Sequence, residues 1–169
     1  MIEMNVMGIA LDVRTNSPIV VLHDLENRKA LPIWIGSAEA SAIIRCIEGL
    51  VVARPMTHDL ITNIVKEVGY SVEKVEINDV EKETYYATIF LTNGDKTLEI
   101  DSRPSDAIAV AMRAEAPIYV TANVLMNGSV STDSAKDEEE AQEFKDFIQN
   151  IKPSDFEKLM KGKHEESDQ

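Results

Sequence analysis

The sequence predicts an α+β fold: two internally duplicated strand–strand–strand–helix units sharing a mixed, largely antiparallel sheet, with helices added at the C-terminus. Three observations carry that expectation. Short β-branched or alternating segments come in threes, and each third one enters a polar corner followed by apolar residues at helical spacing. The corner Gly36-Ser37-Ala38-Glu39-Ala40-Ser41-Ala42-Ile43 returns as Asp101-Ser102-Arg103-Pro104-Ser105-Asp106-Ala107-Ile108, with Ser37 matched to Ser102 at an offset of 65 residues. A constant offset of this kind reads as an internal repeat. Asn93-Gly94, set between two apolar runs, is a hairpin signal and implies antiparallel pairing.

Each element has its own justification. Ile2 to Val13 reads as a strand with both faces partly apolar, as in a covered sheet. Thr15-Asn16-Ser17-Pro18 is a turn, and Ile19 to Leu22 is a β-branched second strand. Ala30 to Ile35 is the third. A first helix is expected from about Ala38 to Glu48, with Ile43, Ile47 and Leu50 on one stripe, Glu39 in the first turn and Gly49 as its stop. Thr57 is the expected N-cap of a second helix that carries Leu60, Ile61, Ile64, Val65 and Val68 and ends at Gly69. The second unit then supplies strands over Val72 to Ile77, Tyr85 to Leu91 and Lys96 to Ile100. Its helix follows at Ala107 to Ala114, with Ser102 as N-cap and Pro104 in the first turn. Pro117 to Thr121 is a short closing strand. The expected organisation is a domain over residues 1–126, with units of about 1–69 and 70–126. A linker over 127–137, a helical extension over 138–161 and a disordered end over 162–169 complete it.

Composition narrows the functional classes. The formal net charge is −13, and residues 133–169 contribute −6 of it, so the acidity is spread over body and tail. Unassisted electrostatic attraction to nucleic acid is therefore disfavoured, because such binding uses a basic face. Metal-assisted chemistry on a phosphodiester is compatible with an acidic chain. One cysteine, Cys46, leaves no internal disulfide. The start, Met1-Ile2-Glu3-Met4, has no signal-peptide pattern, and no apolar run is long enough to span a bilayer, so a cytoplasmic protein is expected.

Several short motifs occur together and in order: Leu31-Pro32-Ile33-Trp34-Ile35-Gly36, Glu39-Ala40, Arg54-Pro55-Met56-Thr57-His58-Asp59-Leu60, Asp101-Ser102-Arg103-Pro104-Ser105-Asp106-Ala107 and Ala116-Pro117-Ile118. Over roughly residues 1–125 the chain resembles the bifunctional nuclease domain family of bacteria and plants. The resemblance implies an α+β fold and degradation of both RNA and DNA; the nuclease so expected is one with little sequence preference.

A nuclease must hold a phosphate, activate water and stabilise developing negative charge. His58 and Asp59 are candidates for the acid–base role, with Asp101, Arg103 and Asp106 as the other catalytic candidates. Arg103 can clamp a phosphate, and Arg54, Ser102 and Ser37 are candidates for binding substrate. Asp101, Asp106 and Glu39 are candidate ligands for Mg²⁺ or Mn²⁺. A purely structural account competes with each role: Asp101 as a cap, Arg103 and Asp106 as an i, i+3 ion pair, and Thr57-His58-Asp59 as a polar first turn. Trp34 is expected in the core or an interface, and Cys46 as a buried small residue. Two functions follow. One is a divalent-metal-assisted nuclease acting on RNA or DNA. The other is a non-catalytic homo-oligomeric module that binds a small anion or a protein partner. Both are compatible with a homo-oligomer and neither needs a membrane.

Overall fold

The computed structural model describes residues 1–131. Within them the chain runs β1 (Ile2–Asp12), β2 (Ser17–Asp24), β3 (Lys29–Trp34), α1 (Ser37–Ile47), α2 (Thr57–Glu67), β4 (Ser71–Glu81), β5 (Thr84–Thr92), β6 (Thr97–Ser102), α3 (Pro104–Ala114), β7 (Ile118–Val120), α4 (Ala122–Gly128) and β8 (Val130–Ser131). The fold is α+β, as the segment pattern predicts. The expected helical extension over 138–161 and the end over 162–169 lie outside the described residues, as does most of the expected linker.

All eight strands join one mixed sheet in the order β6-β5-β4-β7-β1-β2-β3-β8. Two antiparallel meanders, β1-β2-β3 and β4-β5-β6, flank the three-residue strand β7. β7 pairs antiparallel with β1 and parallel with β4, the single parallel contact among the described strands. Both meanders are followed by an 11-residue helix, so the two halves share their connectivity. The 65-residue offset of the two corners does not align the helix starts: α1 begins at Ser37, whereas Ser102 ends β6, Arg103 takes the N-cap position and α3 begins at Pro104. Glu39 and Asp106 are each the third residue of their helix.

The core lies between the sheet and α1, α2 and α3. Met4, Val20, Leu22, Leu31, Val75 and Ile77 rise from the strands and meet Ile43, Ile44, Ile108 and Val110. On β2 the pleat sends Ile19 and Val21 to the other face, where they form a small second cluster with Ala10 and Ala30. Both faces of this strand are thus buried, as its unbroken apolar run suggests. α3 is the central helix: it packs on both α1 and α2 and on β4 and β5. Ala107, Ala109 and Ala111 are fully buried there, and their small side chains allow the close approach of neighbours.

Local chemistry explains most boundaries. Gly49 and Gly69 follow the ends of α1 and α2 at φ +62° and +85°, the left-handed conformation that favours glycine. Thr57 is the first residue inside α2, and Met56 is its N-cap, one position earlier than the sequence suggests. The expected linker is partly structured: Asn127 and Gly128 close α4, and Val130–Ser131 pair with β3. α4 buries Val124 and Leu125, but seven residues are too few to show a helical period.

The β4–β5 hairpin turns through Lys82 and Glu83, both at positive φ (48° and 66°). Two positive φ values in a two-residue loop define the turn that Asn-Gly fills with least strain. Replacing Lys82-Glu83 by Asn-Gly is expected to raise stability by about 1 kcal/mol. Urea denaturation of the two proteins checks this, and an unchanged or lower midpoint contradicts it.

Candidate active site where three helix N-termini meet

The N-terminal turns of α1, α2 and α3 border one cleft of about 330 Å³. Its walls include Glu39 and Ser41 from α1, Thr57 and His58 from α2, and Arg103 and Asp106 at the start of α3. Each helix carries an acid at its third residue: Glu39, Asp59 and Asp106. That placement offsets the positive end of each helix dipole. It also puts carboxylates close together, and arginines hold them.

Arg103 makes the first link. Its Nε donates to Asp106 Oδ2 at 2.8 Å and its Nη2 to Glu39 Oε1 at 2.6 Å. The two acids keep this guanidinium firmly protonated, Asp106 contributing more than Glu39. Among the described residues no acceptor holds Nη1, and the Arg103 side chain is 65% exposed. Gly36 lies beside this contact, and a Cβ there would require the Glu39 carboxylate to shift.

Asp106 makes the second link. Its other oxygen, Oδ1, lies 2.9 Å from His58 Nε2. His58 is only 7% exposed yet lines the cleft. With Nε2 donating to Asp106, the ring keeps its lone pair on Nδ1. Glu39, Arg103, Asp106 and His58 therefore form one continuous chain across three helices.

Asp59 stands apart from that chain. Its Oδ2 accepts from the Met56 N–H at 2.9 Å, and its Oδ1 accepts from Arg113 Nε at 2.8 Å. The Met56 N–H, then Arg113, lower its pKa from the ordinary value. Although Asp59 adjoins His58 in sequence, the imidazole's carboxylate partner is Asp106, 48 residues away. Arg113 was not singled out in the sequence. Its side chain is 8% exposed, and its other nitrogens donate to Ala109 O and Ala42 O, so it ties α1, α2 and α3 together behind the cleft. Its spacing of seven from Asp106, two helical turns on one face of α3, was the available signal. Arg45, a second cation of the cleft wall, was also missed.

The remaining sequence candidates lie outside the cleft wall. Asp101 is exposed on β6, opposite Thr88. Ser102 directs its hydroxyl to Arg103 O, and Ser37 is an exposed first residue of α1. Arg54 is exposed in the segment before α2. The expected ligand set Asp101, Asp106 and Glu39 does not fit a divalent ion as placed. Among the described residues no three His, Cys, Asp or Glu side chains converge in a metal-holding arrangement. Both oxygens of Asp106 are engaged, by His58 and Arg103, and Glu39 is held by that same guanidinium. Cys46 is partly buried, and burial raises its thiol pKa.

Comparison with known proteins bears on this geometry. The family described as "Bifunctional nuclease domain" matches residues 20–133. An uncharacterized protein of Mycobacterium tuberculosis is 35% identical over 162 residues, covering 91% of this chain and 97% of its own length. Bifunctional nuclease 2 of Oryza sativa subsp. japonica is 36% identical over 107 residues, covering 61% of this chain and 33% of its own. Bifunctional nuclease 1 of Arabidopsis thaliana is 29% identical over 113 residues, covering 60% and 35% respectively. The matched region is thus about a third of those plant proteins.

The Asp59 contacts give a pH-dependent expectation. Asp59→Asn removes a charge-assisted acceptor and is expected to cost about 1–2 kcal/mol at pH 7. A carboxyl with a lowered folded-state pKa stabilises above its unfolded value, 3.8, and loses that contribution as pH falls through the folded value. The gap between the two proteins in urea unfolding should therefore be full near neutrality and close only below about pH 4. A gap that persists unchanged into that acid range rules out the charged-acceptor role.

Proposed function

The chain belongs to the bifunctional nuclease domain family, and on that premise we propose that it hydrolyses phosphodiester bonds of RNA and DNA, with little sequence preference, in the three-helix cleft. The observation that carries this reading is the Asp106 carboxylate, shared between His58 and Arg103. It joins a group able to move a proton to a group able to hold a phosphate.

In this reading the phosphate lies on the free edge of Arg103, with Arg45 as the second cation of the cleft wall. His58 Nδ1 takes the proton of the attacking water. Asp106 holds the ring and stabilises the imidazolium that forms, as a carboxylate does for an acid–base histidine. Glu39 acts as a positioning residue, since its contact is with Arg103 rather than with the reacting atoms. No base-edge contact is required by this arrangement, which accounts for low sequence preference. Phosphate charge is met by guanidinium groups, and no step here is assigned to a metal.

The test is cleavage of a single-stranded RNA and a single-stranded DNA by purified protein. His58→Ala is expected to lower both rates by about 10²–10⁴-fold, and Arg103→Ala by about 10²–10³-fold. Asp106→Asn should fall between the wild type and His58→Ala. Gly36→Ala should lower both rates by displacing Glu39. Circular dichroism and thermal melting verify folding of each variant. Cleavage unchanged in folded His58→Ala and Arg103→Ala proteins overturns the assignment. Phosphate binding without cleavage by the wild type would instead support a non-catalytic anion-binding module.

A further inference from the structure

A second hollow, of about 390 Å³, opens on the far side of Arg103, and that residue borders both spaces. Trp34, Gly36, Thr84, Tyr85 and Pro104 are among the residues that line it. Trp34 ends β3, next to the buried Leu31, Pro32 and Ile33, yet is itself 52% exposed. This exposure corrects the core half of the sequence-based expectation and is compatible with its other half, an interface. The ring is also fixed in place. Its Nε1 donates to Asp12 Oδ2 at 3.1 Å, and Asp12 is a buried carboxylate that also accepts from the Arg14 N–H. An exposed aromatic whose edge is anchored has lost little freedom left to lose on binding, which favours it as a stacking surface. Tyr85 forms a firm side wall, because its hydroxyl lies close against Gly128. Arg103 is the single cation of this lining and Glu83 its single acid, so within the hollow a phosphate is favoured at Arg103 and an uncharged ring at Trp34.

We propose that this hollow is a nucleobase subsite, in which Trp34 stacks on the base of a nucleotide whose phosphate lies at Arg103. The proposal rests on the nuclease reading for the position of the phosphate and deepens it by naming the substrate as single-stranded. A base inside a duplex has both faces covered, so only an unpaired base can take the indole. Every base offers a π face, so the subsite accepts all of them, in keeping with low sequence preference.

Trp34 is the single tryptophan of the chain, so intrinsic fluorescence reports on this position alone. The probe is a single-stranded oligothymidylate, titrated into full-length His58→Ala protein so that it stays uncut. Quenching is expected with the oligothymidylate. An abasic oligomer of the same phosphate number, and a duplex of the same length, should bind at least about tenfold more weakly. Anisotropy of a labelled oligomer extends the comparison to proteins without tryptophan. Trp34→Ala should weaken binding of the single strand about tenfold, while Trp34→Phe and Trp34→Tyr retain most of it. Those two variants also lack the Asp12 bond, so they separate loss of the ring from loss of that contact. Equal binding and equal quenching by the abasic oligomer overturn the subsite, as does full binding by a folded Trp34→Ala protein. In either case wild-type cleavage that depends on His58 leaves the nuclease reading standing. Base-dependent quenching without any cleavage by the wild type would leave the subsite standing and remove the nuclease.

Discussion

The bridge from Glu39 through Arg103 to Asp106 is the contact on which the site depends. Three helices cannot bring their N-terminal turns to one cleft without cost, because like ends of helix dipoles repel. Each helix offsets this with a carboxylate at its third residue. Those carboxylates then crowd one another, and Arg103 places a guanidinium between the two on α1 and α3. Arg113 does the corresponding work on the inner side for Asp59. The cleft is thus a balanced set of charges with one edge of a guanidinium left over. A chain of net charge −13 can meet a phosphate there because the local balance, within a screening length of about 8–10 Å, matters more than the total.

Packing makes the bridge possible. α3 sits between α1 and α2 and buries seven of its eleven residues, most of them small. Larger side chains at Ala107, Ala109 or Ala111 would push its neighbours away and open the Glu39–Arg103 contact. The sheet order adds a second constraint. With β7 in the middle, the two meanders are held on opposite sides of a common centre, and the helix that follows each begins near the other. Glu39 and Asp106, at equivalent places in their helices, therefore reach the same guanidinium from two directions.

Much of this was legible in the sequence. The strands and three long helices follow from period and turn chemistry, and the corner around Arg103-Pro104-Ser105-Asp106 was marked by its density of charge. Asp101 was misplaced because a strand end and a helix start were read as one corner. It stays on β6, and the helix begins only after Arg103. His58 and Asp59 adjoin in sequence, but at a helix start successive side chains point about 100° apart, and the imidazole meets Asp106 instead. Glu39 was marked by its place in the first helical turn, but that it shares the Arg103 guanidinium with Asp106 needed the packing of α1 on α3. Arg113 looked like a surface cation at a helix end, and only the packing of three helices shows its acceptors: Asp59 on α2, Ala42 on α1 and Ala109 on its own helix.

α2 shows why the polar contacts count for more than usual. Among its residues only His58 and Val65 are buried, and Leu60, Ile64 and Val68 at its end remain exposed. Apolar burial therefore fixes this helix weakly against the rest of the domain. Its position is set in large part by two polar contacts, His58 with Asp106 and Asp59 with Arg113, both made to one face of α3. Arg113 folds back along its own helix to donate to Ala109 O, which brings its head group toward the α2 N-terminus. The residue that would move a proton thus sits on the helix with the least apolar anchoring, and its partner in that role is also part of its mooring. Ring orientation and helix position are consequently coupled: the contact that orients His58 also helps hold α2 on α3, while Asp59 with Arg113 keeps a second hold on the helix.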